Sequence, residues 1–318
     1  KTMRHYLSVN DIDSLKDWVK EAQEIKARPF EFQELGKNKT IGLLFFNNSL
    51  RTRLSTQKAA ANLGMQSMVM NFNNEGWLLE FEDGVVMDQG KSEHVKEDAQ
   101  VISQYCDIIA IRAFPTLTDK EKDKSEEVLK SFKKYATVPV VNMEGSTGHP
   151  LQALADAITI EEFKTRERPK VVLSWAPHPR ALPHAVANSF VQMMQLQNAD
   201  FVITHPKGYE LDPEITKDSK IEYDQEKAFE NADFVYVKNW SSFKDYGKVV
   251  NKDPAWMVTN RQMDLTNKAK FMHCLPVRRN VVVADEVLDG KNSIVIAQAN
   301  NRTYAAQLVL KKILEDKE

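Results

Sequence analysis

Short apolar runs alternate along the chain with longer stretches in which apolar residues recur at helical spacing. The runs "TIGLLFF" (40–46), "QSMVMNF" (66–72), "CDIIAIRAF" (106–114) and "VPVVNME" (138–144) read as strands, and residues 50–63, 93–104 and 121–135 between them as helices. Strands alternating with helices predict βαβ units and a parallel sheet covered on both faces. The pattern then restarts with "KVVLSWAP" (170–177), "ADFVITHP" (199–206), "ADFVYVKNW" (232–240), "KFMHCLP" (270–276) and "SIVIAQAN" (293–300), a second strand series. A helix over 150–164 joins the two halves. The last stretch, "NRTYAAQLVLKKILEDKE", is predicted as a terminal helix, with Ala305, Leu308, Val309 and Ile313 at 3.6-type spacing. The expected architecture is α/β: two doubly wound parallel-sheet domains with an interdomain active-site cleft. There is no repeat of solenoid period and no low-complexity segment.

Composition changes this picture little. The 318 residues are comfortable for two domains, and 42% hydrophobic with 28% charged residues is ordinary for a soluble globular protein. A net charge of -2 argues against a dedicated nucleic-acid binder. Cys106 and Cys274 are far apart and make no disulfide framework, so the expected compartment is the reducing cytoplasm. No apolar run reaches the roughly 20 residues that cross a bilayer, and "KTMRHYLSVNDID" lacks the apolar stretch of a signal peptide. Neither nucleic acid nor membrane is an expected partner.

In doubly wound sheets ligands bind beyond the carboxyl ends of the strands. The stretch "FNNSLRTRLST" (46–56) falls there, placing Ser49 to Arg53 at the turn from the first strand into a helix. The first turn of a helix offers free backbone N–H groups and a favourable dipole to an anion. Ser49 and Thr52 add hydroxyls, and Arg51 and Arg53 add guanidinium forks suited to phosphate oxygens. An N-cap serine opening a solvated helix would account for the stretch equally well. No G-x-G-x-x-G or G-x-x-x-x-G-K-[ST] motif is present, so a nucleotide is not indicated. Other strand ends match: Arg112, the run His149-Pro150-Leu151-Gln152, the run His273-Cys274-Leu275-Pro276, and Arg302 after "IVIAQANN". A lone strand-end arginine is more often a structural ion pair, and a lone histidine more often a backbone partner. Five such clusters at one edge are better explained by a ligand. There is no Cys/His cluster at zinc spacing.

"SLRTR", "HPLQALAD" and "HCLP" resemble the S-x-R-T-R, H-P-x-Q-x-L-A-D and H-C-L-P signatures of the transcarbamylases, in the same order and spacing and over nearly the whole chain. The resemblance implies a carbamoyl phosphate-binding domain over 1–149, joined by a C-terminal helix at 300–318, and an acceptor-binding domain over 150–299. It implies that the acceptor nitrogen attacks the carbamoyl carbon and phosphate leaves. By the same resemblance Arg112, His149 and Thr52 reach the carbonyl oxygen, where preorganised donors should be the main catalytic effect. Ser49, Leu50 and Arg51 contact the phosphate. The segment His149, Pro150, Leu151 and Gln152 lines the same site, in which Gln152 and the carbonyl of Leu275 hold the carbamoyl amide. Arg302 closes on the ligand from the far domain. Trp77 reaches the site of a neighbouring subunit, which implies a homotrimer with shared sites. No metal or organic cofactor is implied.

The acceptor is read from departures. "HCLP" resembles the ornithine branch, whereas the aspartate branch reads H-P-L-P-R. Ordinary ornithine enzymes carry an aspartate and S-M-G after a second-domain strand, where this chain has "VYVKNWSSF". Lys238 would repel an α-ammonium but suits an acylated α-nitrogen, especially with a carboxylate nearby; a surface lysine at a strand end is the plain alternative. "GVVMDQGKSEHVKE", "SWAPHPRALPHAVANSF" and "FMHCLPVRRN" resemble the N-acylornithine branch, and the wording is nearest to its N-succinylornithine-using members. That resemblance assigns Glu144, His178, Lys238 and Arg278 to the acylated ornithine and implies a trefoil-knotted second domain, with the proline-rich loop 177–183 at the crossing. It places Ser92, in "KSEH", beside the acyl group. N-acetyl enzymes tend to carry glutamate there and N-succinyl enzymes proline, so serine departs from both and removes a charge that would repel succinate. Gly148, before His149, is a further departure. The δ-amine is mostly protonated at neutral pH, like lysine. Cys274 stands by position as a catalytic candidate, with thiolate electrostatics or proton uptake by the departing phosphate as alternatives to a base. The expected reaction gives N-succinylcitrulline and phosphate in arginine biosynthesis. The rivals are acetylornithine, ornithine, putrescine or aspartate as acceptor, and a non-catalytic ligand-binding subunit.

Overall fold

A computed structural model describes residues 4–316. The chain divides into two compact units. The first comprises Lys1–Thr116, Lys120–Leu151 and Arg302–Glu318, and the second Leu117–Asp119 and Gln152–Asn301.

The first unit contains strands β1 (Thr40–Phe45), β2 (Gln66–Asn71), β3 (Leu79–Glu80), β4 (Glu93–His94), β5 (Ile108–Arg112) and β6 (Val140–Glu144). Its helices are α1 (Leu15–Ala27), α2 (Gln33–Gly36), α3 (Arg51–Asn62), α4 (Val95–Tyr105), α5 (Lys120–Ser125) and α6 (Glu127–Tyr135). Four strands form a parallel sheet in the order β2-β1-β5-β6, while β3 and β4 pair separately. β1, β5 and β6 are buried almost throughout because helices cover both faces. β2, at the edge, alternates exposed and half-buried positions instead. Gly42 in β1 has a packing reason: a Cβ there would come within 2.7 Å of the Cys106 sulfur at the end of α4. Ile109, Ile111, Val140, Val95, Leu129 and Phe132 meet in the core. Truncating the fully buried Phe132 to alanine would cost about 3–5 kcal/mol.

The expected helix over 121–135 is two helices. Glu126 breaks it with a left-handed backbone (φ 52°, ψ 49°). The segment from 93 begins as a two-residue strand, and α4 starts only at Val95, capped by the His94 ring.

The second unit carries β7 (Lys170–Trp175), β8 (Asp200–Thr204), β9 (Lys220–Glu222), β10 (Phe234–Lys238) and β11 (Lys270–Met272), in the parallel order β11-β10-β7-β8-β9. β9 is too short to stand out from the sequence. Helix α7 (Pro150–Phe163) starts in the first unit and continues in the second, which also holds α8 (Ala185–Leu196), α9 (Pro213–Thr216), α10 (Gln225–Phe229), α11 (Asn260–Met263) and α12 (Asp285–Leu288). Val172, Val202, Val235, Phe229, Phe271 and Val283 pack its core.

The expected strand over 293–300 is not one. Only Ser293 bridges to Phe271, and from Val295 the chain is helical to Glu315, forming α13. The apolar alternation of "SIVIAQAN" is broken by Ile296, which is 75% exposed. The buried positions Val295, Gln298, Asn301, Arg302 and Ala305 instead recur every three or four residues. Arg302 therefore lies within a helix and not at a strand exit, and it belongs to the first unit, not to the far domain as expected. Its half of α13 is tied to the first unit by Asn62 donating to Gln307 (2.9 Å) and Lys311 donating to Glu21 (2.8 Å). No helix among the described residues is long and apolar enough to cross a membrane.

Candidate active site

In the first sheet the chain leaves β1 toward β2 and then crosses to β5, so strand order reverses between β1 and β5. A crevice opens beyond such a reversal. The S-x-R-T-R stretch follows β1, and Arg112 ends β5, with Phe45 and Arg112 paired in register. Ser49 Oγ accepts from the Thr52 N–H (3.2 Å), holding the start of α3. Thr52 is buried, and its hydroxyl accepts from Arg302 Nη2 at 2.9 Å. Arg53, by contrast, donates to Gln57 on its own helix.

Arg112 is nearly buried. It donates through Nη1 to Glu144 Oε1 (3.1 Å) and through Nη2 to the Asn48 carbonyl (3.1 Å), and its guanidinium lies 4.3 Å from the Phe114 ring centre. Its Nε is buried with no hydrogen-bond partner among the described residues. The β5–β6 register explains the pairing with Glu144. Ile111 faces Asn142 but Arg112 faces Glu144, so β6 bulges by one residue and swings Glu144 beside Arg112. Glu144 holds a φ of 147°, unfavourable for a residue with a side chain, and its N–H is held by Asn142 Oδ1 at 2.8 Å.

His149 Nε2 lies 3.2 Å from the same Glu144 oxygen. Burial, then Arg302, then Arg112 hold the imidazole well below its ordinary value of 6.5, so it is neutral. A carboxylate only accepts, so Nε2 carries the proton. Burial lowers Arg112 as well, and the nearby Arg51 adds to that against the pull of Glu144. Arg51, Arg112 and Arg302 thus act on one small region in which Glu144 is the paired carboxylate. A neutral imidazole donor, buried guanidiniums and surplus positive charge suit a small multivalent anion. Of the residues foreseen for the carbamoyl phosphate site, Ser49, Thr52, Arg112, His149 and Arg302 are linked by these contacts, and Glu144, foreseen for the acylated ornithine, joins them. Leu50 is 65% exposed beside them, and Pro150 and Leu151 begin the helix after His149.

The second sheet reverses its strand order between β7 and β10. His178 follows β7 and Lys238 ends β10, where it pairs in register with Trp175. Arg278 Nε donates to His178 Nε2 at 3.1 Å. Nδ1 lies 3.1 Å from the Arg180 carbonyl and 3.0 Å from the Arg180 backbone nitrogen. Burial lowers the His178 pKa, and the charges of Arg278, Lys238 and Arg180 lower it further against that backbone bond. Among the described residues neither Lys238 nor Arg278 pairs with a carboxylate. The adjacent Arg279 is spent on Asp285 and Asp289 (both 2.8 Å).

The H-C-L-P segment is held by a chain of polar side chains. Asp156 Oδ1 accepts from Gln152 (2.8 Å) and from Gln298 (2.7 Å), and Gln298 accepts from the His273 N–H (3.0 Å). His273 Nδ1 accepts from the Leu275 N–H (2.8 Å), fixing Leu275 at a φ of 62°. Cys274 is buried. Asp156 was legible in principle, four residues from Gln152 and so on the same helix face. Gln298, Asn48, Asn142 and Arg180 carried no sequence signal of their own.

Trp77 and Ser92 lie elsewhere in the first unit. Trp77 is 59% exposed and donates to Glu93 (2.9 Å); the N–H of exposed Ser92 donates to the Leu78 carbonyl. Among the described residues, neither bonds to a residue of the anion site.

Comparison with known proteins gives this chemistry a context. Residues 4–162 match the model of the aspartate/ornithine carbamoyltransferase carbamoyl-P binding domain, and residues 183–313 that of the Asp/Orn binding domain. The chain is 53% identical to an N-succinylornithine carbamoyltransferase of Bacteroides thetaiotaomicron over 98% of its own length and 99% of the relative's. It is 36% identical to an N-acetylornithine carbamoyltransferase of Xanthomonas axonopodis pv. citri, over 97% and 96%. A crystal structure of an N-acetyl-L-ornithine transcarbamylase glutamate-to-serine mutant, complexed with carbamyl phosphate and N-succinyl-L-norvaline, is similar with a TM-score of 0.90 at 36% identity, covering 97% of this chain and 99% of that one. With both domain models matched across most of its length, the chain belongs to the aspartate/ornithine carbamoyltransferase family.

Proposed function

We propose that the protein transfers the carbamoyl group of carbamoyl phosphate to the δ-amine of N-succinylornithine, giving N-succinylcitrulline and phosphate in arginine biosynthesis. The observation that carries the acyl reading is the second unit's cluster, in which His178 is surrounded by Lys238, Arg278 and Arg180 with no carboxylate among the described residues paired to Lys238 or Arg278. A free α-ammonium would meet only repulsion there. An acylated, neutral α-nitrogen with carboxylates at both ends of the ligand would not.

The first unit is proposed to bind carbamoyl phosphate. The phosphate lies at the start of α3, against Ser49, Leu50, Arg51 and Thr52, with Arg302 through its hold on Thr52. Glu144 Oε1 stands where Arg112 Nη1 and His149 Nε2–H converge, at 3.1 and 3.2 Å. In this reading the carbamoyl oxygen takes that place, and both donors then serve the oxyanion of the tetrahedral intermediate. Glu144, relieved of them, is left to meet the acceptor's δ-ammonium. Gln152, its NH2 committed to Asp156, offers its oxygen to the carbamoyl NH2 together with the Leu275 carbonyl. The δ-nitrogen attacks as the neutral amine, one proton having passed to solvent, and forms the C–N bond of the tetrahedral intermediate; the C–O bond to phosphate then breaks, and the departing phosphate takes the second proton from nitrogen. His149 is a poor proton acceptor, since burial and two guanidiniums oppose its charge. Ser92 is proposed to flank the succinyl group, where glutamate would repel it.

The enzyme is further proposed to be a cytoplasmic homotrimer in which Trp77 serves a neighbouring copy. Trp77, Leu78 and Val86, at 59%, 65% and 76% exposure, support that surface role. The test is product formation from carbamoyl phosphate with ornithine, N-acetylornithine and N-succinylornithine side by side. Turnover restricted to succinylornithine is expected; turnover of free ornithine would overturn the acyl reading.

A further inference from the structure

Glu126 does something that its local sequence does not require. It takes a left-handed backbone between α5 and α6 and makes no cap to the helix that follows. Its side chain turns to the loop between Glu144 and His149 instead. Oε1 accepts from the Thr147 N–H and from the Thr147 hydroxyl (3.0 Å), and the carboxylate also accepts from the Ser146 N–H. Glu126 is half-buried, and burial pushes its carboxyl above the ordinary range even against these three donors. The fit is close. A Cβ on Gly145 would come within 2.3 Å of Glu126 Oε2 and 2.7 Å of Leu129. The other side of the loop is closed by Gly145 N–H donating to the Gly148 carbonyl (2.9 Å), to which Asn142 also donates (3.3 Å).

The loop is short, and both ends carry functional side chains. Glu144 enters it with a strained backbone, and His149 leaves it with Nε2 at 3.2 Å from the Glu144 carboxylate. Their relative placement therefore depends on what fixes residues 145–148, and the Glu126 carboxylate bonds to two of those residues, Ser146 and Thr147. We propose that Glu126 is a positioning residue for the carbamoyl transfer, a carboxylate clamp that sets His149 against Glu144 and Arg112 without touching substrate. This rests on the carbamoyl phosphate reading of the first unit.

The test compares Glu126→Ala, Glu126→Gln and Thr147→Val. Displacing a catalytic group by a fraction of an ångström to an ångström costs roughly tenfold to a hundredfold in rate. Glu126→Ala is expected to lose about that much in kcat with both substrates saturating, and with KM values within about twofold. Glu126→Gln keeps an acceptor oxygen for Thr147 and should recover most of the rate. Thr147→Val removes one donor and should lose less than Glu126→Ala; it takes that variant's place if the alanine protein does not fold. Nitrogen NMR of the His149 ring in the unliganded protein, assigned by loss of its signal in His149→Gln, is read on the same proteins. The ring signal should move in Glu126→Ala or Thr147→Val and return in Glu126→Gln. A lowered melting temperature with wild-type kcat and an unmoved ring signal would overturn the proposal. If the wild type turns over none of the acceptors, the functional reading fails, and the ring signal alone decides whether Glu126 positions His149.

Discussion

Each unit keeps a histidine neutral among cations, and the two surroundings differ in one respect. His149 is buried with Glu144 as a paired carboxylate, so its neighbours hold one another in a fixed arrangement. His178 is half-buried among Arg278, Lys238 and Arg180, and Arg278 and Arg180 reach into solvent. Buried donors already held in place cost little reorganisation when charge develops, which is what a transition state needs. Half-exposed cations with no carboxylate of their own wait for a ligand to supply one, which is what recognition needs. On the proposed function, the first cluster serves rate and the second acceptor affinity.

The largest effect expected to sharpen that contrast is at Arg112. Arg112→Ala should lower kcat by roughly a hundredfold to a thousandfold, the loss typical of one oxyanion donor. Acceptor KM should change little and the melting temperature should fall only modestly. A drop in activity that merely tracks unfolding would show Arg112 to be structural. Next is Lys238→Ala, which removes a charge-assisted contact and should raise acceptor KM by roughly tenfold to a hundredfold. Carbamoyl phosphate affinity should be unchanged, and an unaltered acceptor KM would return Lys238 to the surface. Ser92→Glu should shift preference from succinyl toward acetyl by roughly fivefold to tenfold, as expected of about 1 kcal/mol between like charges. A constant preference ratio would remove that loop from the acyl pocket.

The smallest effect is on stability. The folded His149 pKa lies well below 6.5, so beneath that pH the unfolded chain binds a proton that the folded chain refuses. Stability should fall as pH drops below about 6.5, with at most about 1.4 kcal/mol per pH unit from this one proton. His149→Gln should make that fall shallower in denaturant titrations at successive pH values. An unchanged slope would mean that His149 does not titrate on unfolding.

The chain's periodicity was a good guide wherever both sheet faces are covered. β1, β5, β7 and β10 lie inside the runs expected to form them, because burial on two faces leaves a continuous apolar signal. It misled at "SIVIAQAN", where β-branched residues open α13 and the helical face is carried by the polar Gln298, Asn301 and Arg302. Polar residues buried through hydrogen bonds to other helices are invisible to a hydrophobic pattern. The break at Glu126 was hidden for a related reason, since the side chain at the break bonds to Thr147, 21 residues away in sequence. The proposed anion site was legible as clusters of residue types at strand ends, except that Arg302 lies within α13. The bulge that brings Glu144 beside Arg112 was not, because a one-residue register shift leaves no mark on composition.

The most direct test of this division of labour is one set of steady-state measurements, kcat and both KM values, on Arg112→Ala and Lys238→Ala with N-succinylornithine as acceptor. The account predicts a loss confined mainly to kcat in the first protein and mainly to acceptor KM in the second. Losses of the same kind in both would contradict it.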